Sequence, residues 1–217
     1  MDRTKKISTG FPKPLNPNKE TARLVEKRFK DKYAANIRKN TKTGEYHLEG
    51  ALAALGLITV KKFLGDHYVT MTDLGKEFYQ LDNPVLNGDY SHAFSNDEVK
   101  LIIEKLIPQR ELEDRLCKQA LKIVKTFGEY EIEQAAKLND FFNQEFQSFV
   151  DDSSIDEIHK KRLREEFIAP STSDTEQTPI EACRVATMGR LSELGLIKWK
   201  IGPNTSSEYT IIEEVGS

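Results

Sequence analysis

Residues 1–45 contain 13 Lys/Arg against 5 Asp/Glu, and Arg23, Lys27, Arg28, Lys30, Lys32, Arg38 and Lys39 crowd into the segment ETARLVEKRFKDKYAANIRKN. Such density is what contact with a row of phosphates requires, because the contact depends on charge and not on residue order. A solvated helix face carries similar runs, so charge alone leaves both readings open. The other residue types capable of chemistry form no comparable group. His47, His67, His92 and His159 have neither HxxxH nor HExxH spacing, and no cysteine joins them in a ligand pattern. The sequence has no G-x-x-x-x-G-K-[ST], no G-x-G-x-x-G and no G-x-S-x-G. The acid pairs Asp151-Asp152 and Glu165-Glu166 lie in charged stretches of the kind that stay solvated. A binding protein is expected, with no catalytic residues, metal or cofactor.

The 217 residues carry a net charge of −3, because residues 129–217 offset the basic head with 18 Asp/Glu against 9 Lys/Arg. That balance argues against a chain that coats nucleic acid indiscriminately. With 38% hydrophobic and 31% charged residues, the chain reads as soluble and helix-rich, with one large core or two small ones. No apolar run approaches the roughly 18–20 residues of a membrane span. The basic start MDRTKKISTG is not followed by the apolar segment of a secretory signal. Cys117 and Cys183 supply neither a disulfide framework nor a CxxC knuckle. A reducing, cytoplasmic setting is expected.

The elements that would position the cations come into view through an internal repeat. Leu52-Ala53-Ala54-Leu55-Gly56-Leu57-Ile58-Thr59-Val60-Lys61 aligns with Leu191-Ser192-Glu193-Leu194-Gly195-Leu196-Ile197-Lys198-Trp199-Lys200, both reading L-x-x-L-G-L-I-x-x-K, with Gly50 and Gly189 in register. Leucines three apart cover one helix face, and a glycine just past the second suits a left-handed C-cap. An alternating, β-branched strand follows. Gly65-Asp66 or Gly202-Pro203-Asn204 then turns the chain, and Tyr68-Val69-Thr70 or Tyr209-Thr210-Ile211 returns it.

Both copies resemble the reader helix and wing of winged helix-turn-helix DNA-binding domains. In the first, Tyr68-Val69-Thr70-Met71-Thr72-Asp73-Leu74-Gly75-Lys76-Glu77-Phe78 is similar to the Y-x-L-T-x-x-G return strand and following helix of many winged-helix regulators. In the second, Gly128-Glu129-Tyr130-Glu131-Ile132-Glu133-Gln134-Ala135-Ala136-Lys137-Leu138 resembles the first helix of a helix-turn-helix. Its reader helix begins only at Thr178-Pro179, after an insert with an amphipathic stretch (Phe141, Phe142, Phe146, Phe149, Val150), a charged helix over 155–167 and a loop. The fold class expected is mainly α with small β-hairpin wings (α+β), as two winged-helix units joined by helices. The boundaries expected are a flexible basic arm over 1–17, a first winged-helix domain over 18–90 and connecting helices over 95–127. A second winged-helix domain follows over 128–217, with its insert at about 140–178. Ser95 offers an N-cap to one connecting helix, and Pro108 starts the other.

On a helical wheel, Leu48, Ala51, Leu52 and Leu55 form the core stripe of the first reader helix. Tyr46, Glu49, Gly50, Ala53 and Ala54 face outward, with His47 at the flank. Small residues there let the backbone approach DNA, and Tyr46 or His47 could reach bases or phosphates. No Arg or Gln on that face offers bidentate base reading, so selectivity would be modest or carried by the wing, where Lys61 and Lys62 are the phosphate candidates. In the second helix Ile180, Cys183, Thr187, Leu191 and Leu194 form the stripe. Val185, Ala186, Met188, Gly189 and Ser192 face away, with Arg184 and Arg190 at the edges and Lys198 and Lys200 in its wing. An outward Val185 and Met188 suit a thymine methyl or an apolar protein interface equally. The residues expected to contact DNA are therefore Arg23, Lys27, Arg38, Lys39, Lys42, Tyr46, His47, Gly50, Lys61, Lys62, Arg184, Met188, Arg190, Ser192, Lys198 and Lys200.

Two functions fit. One is a double-stranded DNA-binding protein, acting as a transcriptional regulator or as a recognition module. The tandem arrangement with an insert in its second unit also resembles recognition domains of type IIS restriction endonucleases. The other is a tandem winged-helix protein–protein interaction subunit of a chromosome-associated or other complex, with the acidic C-terminal half as the partner surface. A homodimer is compatible with both, and membrane association with neither. A continuous positive face joining the basic head to the first wing would favour the first.

Overall fold

The computed structural model describes residues 3–4, 6–7, 11, 15–28, 37–39, 44, 46–48, 50–127, 131–168, 178–201 and 207–212. It is mainly α-helical with small antiparallel β-hairpins. The chain forms two compact units, one of them discontinuous: Met1–Gly10 belongs with Pro108–Ser217, and Phe11–Ile107 forms the other. They are called here the host unit and the inserted unit. This division replaces the boundaries expected from the sequence. The start of the chain is part of the host unit and not a separate arm, and the two helices expected to connect domains each belong to one unit.

The inserted unit contains α1 (Ala22–Arg28), β1 (Ile37–Lys39), β2 (Tyr46–Leu48), α2 (Ala51–Ala54), β3 (Ile58–Phe63), β4 (Asp66–Met71), α3 (Asp73–Tyr79) and α4 (Asn96–Leu101), the last continuing as a π-helical turn over Ile102–Leu106. β1 pairs with β2, and β3 with β4. Ser95 caps α4 in a capping box with Glu98. The buried Glu98 carboxylate also accepts from Asn83 Nδ2 at 2.9 and 3.0 Å, which ties down the preceding loop. Phe94 takes Phe11 and Phe78 edge-on at 5.3 and 6.5 Å.

The host unit contains α5 (Glu111–Phe127), α6 (Glu131–Asp151), α7 (Glu157–Leu163) with a π-helical turn over Arg164–Ile168, α8 (Pro179–Glu193), β5 (Ile197–Ile201) and β6 (Ser207–Ile211). Pro108 sits in a 3-10 turn over Ile107–Gln109, ahead of α5. Leu112, Leu116, Ala120 and Val124 make the buried stripe of α5, and Leu138, Phe142, Phe146 and Phe149 that of α6. Phe146 stacks on Phe167 at 4.1 Å. The sequence split α6 into a first helix and part of an insert, but it is one helix of 21 residues. Its apolar positions keep one register across the supposed break.

The repeat in sequence is a repeat in structure. Leu57 N donates to Leu52 O and Gly56 N to Ala53 O; Leu196 N donates to Leu191 O and Gly195 N to Ser192 O, all at 2.9–3.0 Å. Gly56 (φ 77°) and Gly195 (φ 72°) take the left-handed position that this paired closure needs. In both copies the residue after the return strand reaches back to the residue after the glycine, as Thr72 N to Leu57 O and Ile212 N to Leu196 O. The T-x-x-G that follows β4 has a local cause. Thr72 Oγ1 caps α3 by accepting from Gly75 N at 3.0 Å, and Gly75 passes so close that a Cβ would lie 2.0 Å from Leu57 O.

The first copy departs from expectation in its helix. Residues 46–48 are strand, and α2 has only four residues, because Gly50 at φ 104°, ψ 169° holds a conformation open essentially to glycine alone. The stripe Leu48, Ala51, Leu52, Leu55 is therefore broken, and Leu52 is exposed.

One ion pair organises the host core. Glu113 and Arg190 are 0% and 2% exposed. Arg190 Nη2 and Nε donate to Glu113 Oε1 at 2.5 and 3.0 Å, and Nη2 also donates to Thr187 Oγ1 at 3.1 Å. Ile7 N donates to Glu113 Oε2 at 3.0 Å, and Leu112 N donates to Arg3 O. Arg3 also bonds Glu111 and pairs with Asp152 at 3.1 Å. The Cys117 thiol contacts Glu113 at 3.6 Å; burial, then that carboxylate, push its pKa well up.

Two outcomes are expected in urea unfolding. Arg190→Met alone strands a buried carboxylate and costs about 3–5 kcal/mol, whereas Glu113→Leu with Arg190→Met recovers much of it; a loss under about 1 kcal/mol for the single variant would remove the pair from its central role. Gly75→Ala forces the Leu57 carbonyl aside and costs about 1–3 kcal/mol, and unchanged stability would contradict the packing of α3.

Candidate nucleic-acid interface

The basic residues divide according to what already engages them. In the host unit Arg3 is held by Glu111 and Asp152, and Lys6 lies over the Phe167 ring at 4.5 Å and donates to Cys183 Sγ at 3.7 Å. The Glu111 hydrogen bond raises the Arg3 pKa further, and the same bond holds the Glu111 carboxyl below its ordinary value. These cations serve the fold. The described part of the basic head thus splits between the two units.

The second copy's expected contact set is largely internal. Met188, placed outward by the wheel, is fully buried, and Arg190 is the buried partner of Glu113. Arg184 is half-buried, its Nε donating to Asn139 Oδ1 and its Nη1 to Tyr209 OH, both at 2.9 Å. Val185 and Ser192 are half-buried; Lys198 and Lys200 on β5 are exposed. A wheel assumes one covered side. α8 instead packs against α5, α6, the turn after α7 and β5, so it buries more than one face. With Met188 inside, the apolar patch expected beside Val185 is not formed.

Of the first copy's set, Lys39, Tyr46 and Lys62 are brought together. Arg23 and Lys27 are exposed on α1. Arg38 and Lys39 on β1 pair with His47 and Tyr46 on β2. Lys39 Nζ sits over the Tyr46 ring at 5.9 Å, and Tyr46 lies on His67 of β4 at 4.0 Å between centroids. His67 is paired across the hairpin with Lys62, and Lys61 with Tyr68. Directly paired residues of an antiparallel ladder share a face and neighbouring pairs alternate, so Lys61 and Lys62 stand on opposite faces of the β3–β4 ribbon. One continuous row results: Lys39, Tyr46, His67, Lys62. Among the described residues neither Lys61 nor Lys62 has a carboxylate at ion-pair distance. The Asp73 carboxyl is held below its ordinary value first by Lys76, bound at 2.9 Å, and more weakly by Lys61. Gly50 caps α2, and Lys42 lies outside the described residues.

Three contributors escaped the sequence reading: His67, which links the two hairpins, and the turn residues Phe63 and Leu64, which are 64% and 87% exposed. Apolar residues at a hairpin turn break the usual polar pattern of loops, and that was the available signal. Among the described residues no group of three or more His, Cys, Asp or Glu is arranged to hold a metal, and no helix is long and apolar enough to cross a membrane. Comparisons with protein-family models, with curated proteins and with solved structures found no match to this chain.

The division between engaged and presented cations is measurable. Arg184→Ala removes two hydrogen bonds of a half-buried guanidinium and lowers stability to urea by about 1–3 kcal/mol, while Lys198→Ala and Lys200→Ala stay within about 0.5 kcal/mol of the parent. Equal effects at all three would contradict the assignment.

Proposed function

We propose that the chain binds double-stranded DNA through its inserted unit, as a regulator or as the recognition module of a larger system. In this reading the inserted unit is a winged helix with a shortened reader helix, α2, and with β3–β4 as its wing. The host unit repeats the helix, glycine cap and hairpin as a second, structural copy, in which Lys198 and Lys200 are the exposed cations of the expected contact set. The observation that carries the reading is the row Lys39, Tyr46, His67 and Lys62, with Lys61 on the far side of the same ribbon. Lysines supply the phosphate contacts, and the tyrosine and histidine rings supply flat surface against sugar or base. The four-residue α2 offers little for reading bases in the major groove, so affinity comes mainly from the backbone and sequence preference is modest.

The test is fluorescence anisotropy with a random 30-base-pair duplex at several salt concentrations. Log affinity is expected to fall steeply with log salt. Lys61→Glu with Lys62→Glu is expected to weaken binding at least tenfold and to flatten the slope by about two. Absence of binding at low salt, or a double variant that binds like the parent, would refute the reading.

A further inference from the structure

The β3–β4 hairpin closes through Leu64 and Gly65, both at positive φ (49° and 93°), with Phe63 paired to Asp66 beneath the turn. Two-residue turns of this kind ordinarily carry Asn-Gly or Asp-Gly, since the first position must be left-handed. Leucine is costly there, and Leu64 is the one non-glycine residue at positive φ among those described. It stands 87% exposed beside a 64% exposed Phe63. Fold stability therefore does not explain the choice: an asparagine would suit the turn better and bury no less.

We propose that this turn is an apolar wedge for duplex DNA, in which Leu64, backed by Phe63, enters between two base pairs from the minor groove and kinks the helix. The proposal rests on the DNA-binding reading of the inserted unit. Charge complementarity selects the occupant: Lys61 and Lys62 stand just behind the tip on its two faces, placed to meet phosphates of opposite strands. Width sets the mode of entry. Paired strands lie about 4.8 Å apart before side chains are added, so the ribbon cannot lie within a minor groove about 6 Å wide. Only its tip can enter. Leucine and phenylalanine side chains have no donor or acceptor for base edges, so they gain contact by taking the place of a stacked neighbour. Pyrimidine–purine steps, which unstack most readily, are the favoured sites.

The experiment uses the full chain and 30-base-pair duplexes with donor and acceptor dyes at their ends, one carrying a central TA step and one a stiff A-tract. Anisotropy reports binding, and energy transfer reports bending. The parent is expected to draw the ends together on the TA duplex and to prefer it by roughly tenfold. Leu64→Asn is expected to keep or raise the melting temperature while losing both the bend and the preference, with the salt dependence retained. Phe63→Thr, which keeps a strand-forming residue, should lose part of each. Salt-dependent binding by the parent without bending, or full bending by Leu64→Asn, overturns the wedge and leaves DNA binding standing. Absence of any binding by the parent overturns both. Leu64-dependent capture by phosphatidylserine vesicles, with no bending of DNA, also overturns it.

Discussion

A carboxylate with no water around it must find donors within the fold, and Glu113 finds them in three places far apart in the chain. Arg190 comes from α8, the Ile7 amide from the first residues, and the Cys117 thiol from one turn along α5. Burying two charges costs several kcal/mol per ion unless the geometry returns it, so each donor becomes a condition for the others. The discontinuity of the host unit follows. Arg3 and Ile7 are not part of a loose arm, because Ile7 supplies one of the bonds to Glu113, Leu112 N donates to Arg3 O, and Arg3 is tied to Glu111 and Asp152. The chain begins in the host core, leaves to build the inserted unit, and returns to complete the partners of its own start.

The same constraint separates the two copies of the repeat. Both end their helix by the same pair of backbone bonds and both continue into a hairpin. In the host unit, however, Arg190 and Thr187 point α8 inward, and Met188 fills space beside them. Gln134 of α6, itself buried, bonds the backbone of Tyr209 on β6 through both ends of its amide, at 3.2 and 3.4 Å. A helix and hairpin closed in this way support a core. In the inserted unit the corresponding hairpin is less covered: His67 lies under Tyr46, while Lys61, Lys62, Tyr68, Val69 and Met71 are exposed. The proposed division of labour, one copy for structure and one for DNA, follows from that difference in covering.

Much of the local structure was legible because its causes lie within a few residues. The glycine closures at Gly56 and Gly195, the N-cap at Ser95 and the start of α8 at Pro179 each depend on short-range hydrogen bonds and backbone freedom. The wing lysines were legible as residues of the first strand, but their register was not: the sequence suggested a turn at Gly65-Asp66, whereas the hairpin closes through Leu64 and Gly65 and Asp66 already pairs with Phe63. The misreadings have a common origin. Tyr46 and His47 were placed on a helix because apolar spacing ran through Gly50, whose positive-φ conformation only the folded backbone reveals. Met188 and Arg190 were placed outward because periodicity counts residues on a face and not the number of neighbours around a helix.

The sequence by itself therefore determined a mainly helical fold with small hairpins, the repeat, the glycine closures that end each copy's helix and the charges on the first hairpin, all set by chemistry between residues close along the chain. The tertiary structure alone decided which units those elements build and which cations are available. Glu113 and Arg190 are 77 positions apart, and Tyr46 meets His67 only once two hairpins are laid side by side. Such pairings depend on the burial and packing of whole elements, a property that no local pattern of residues encodes.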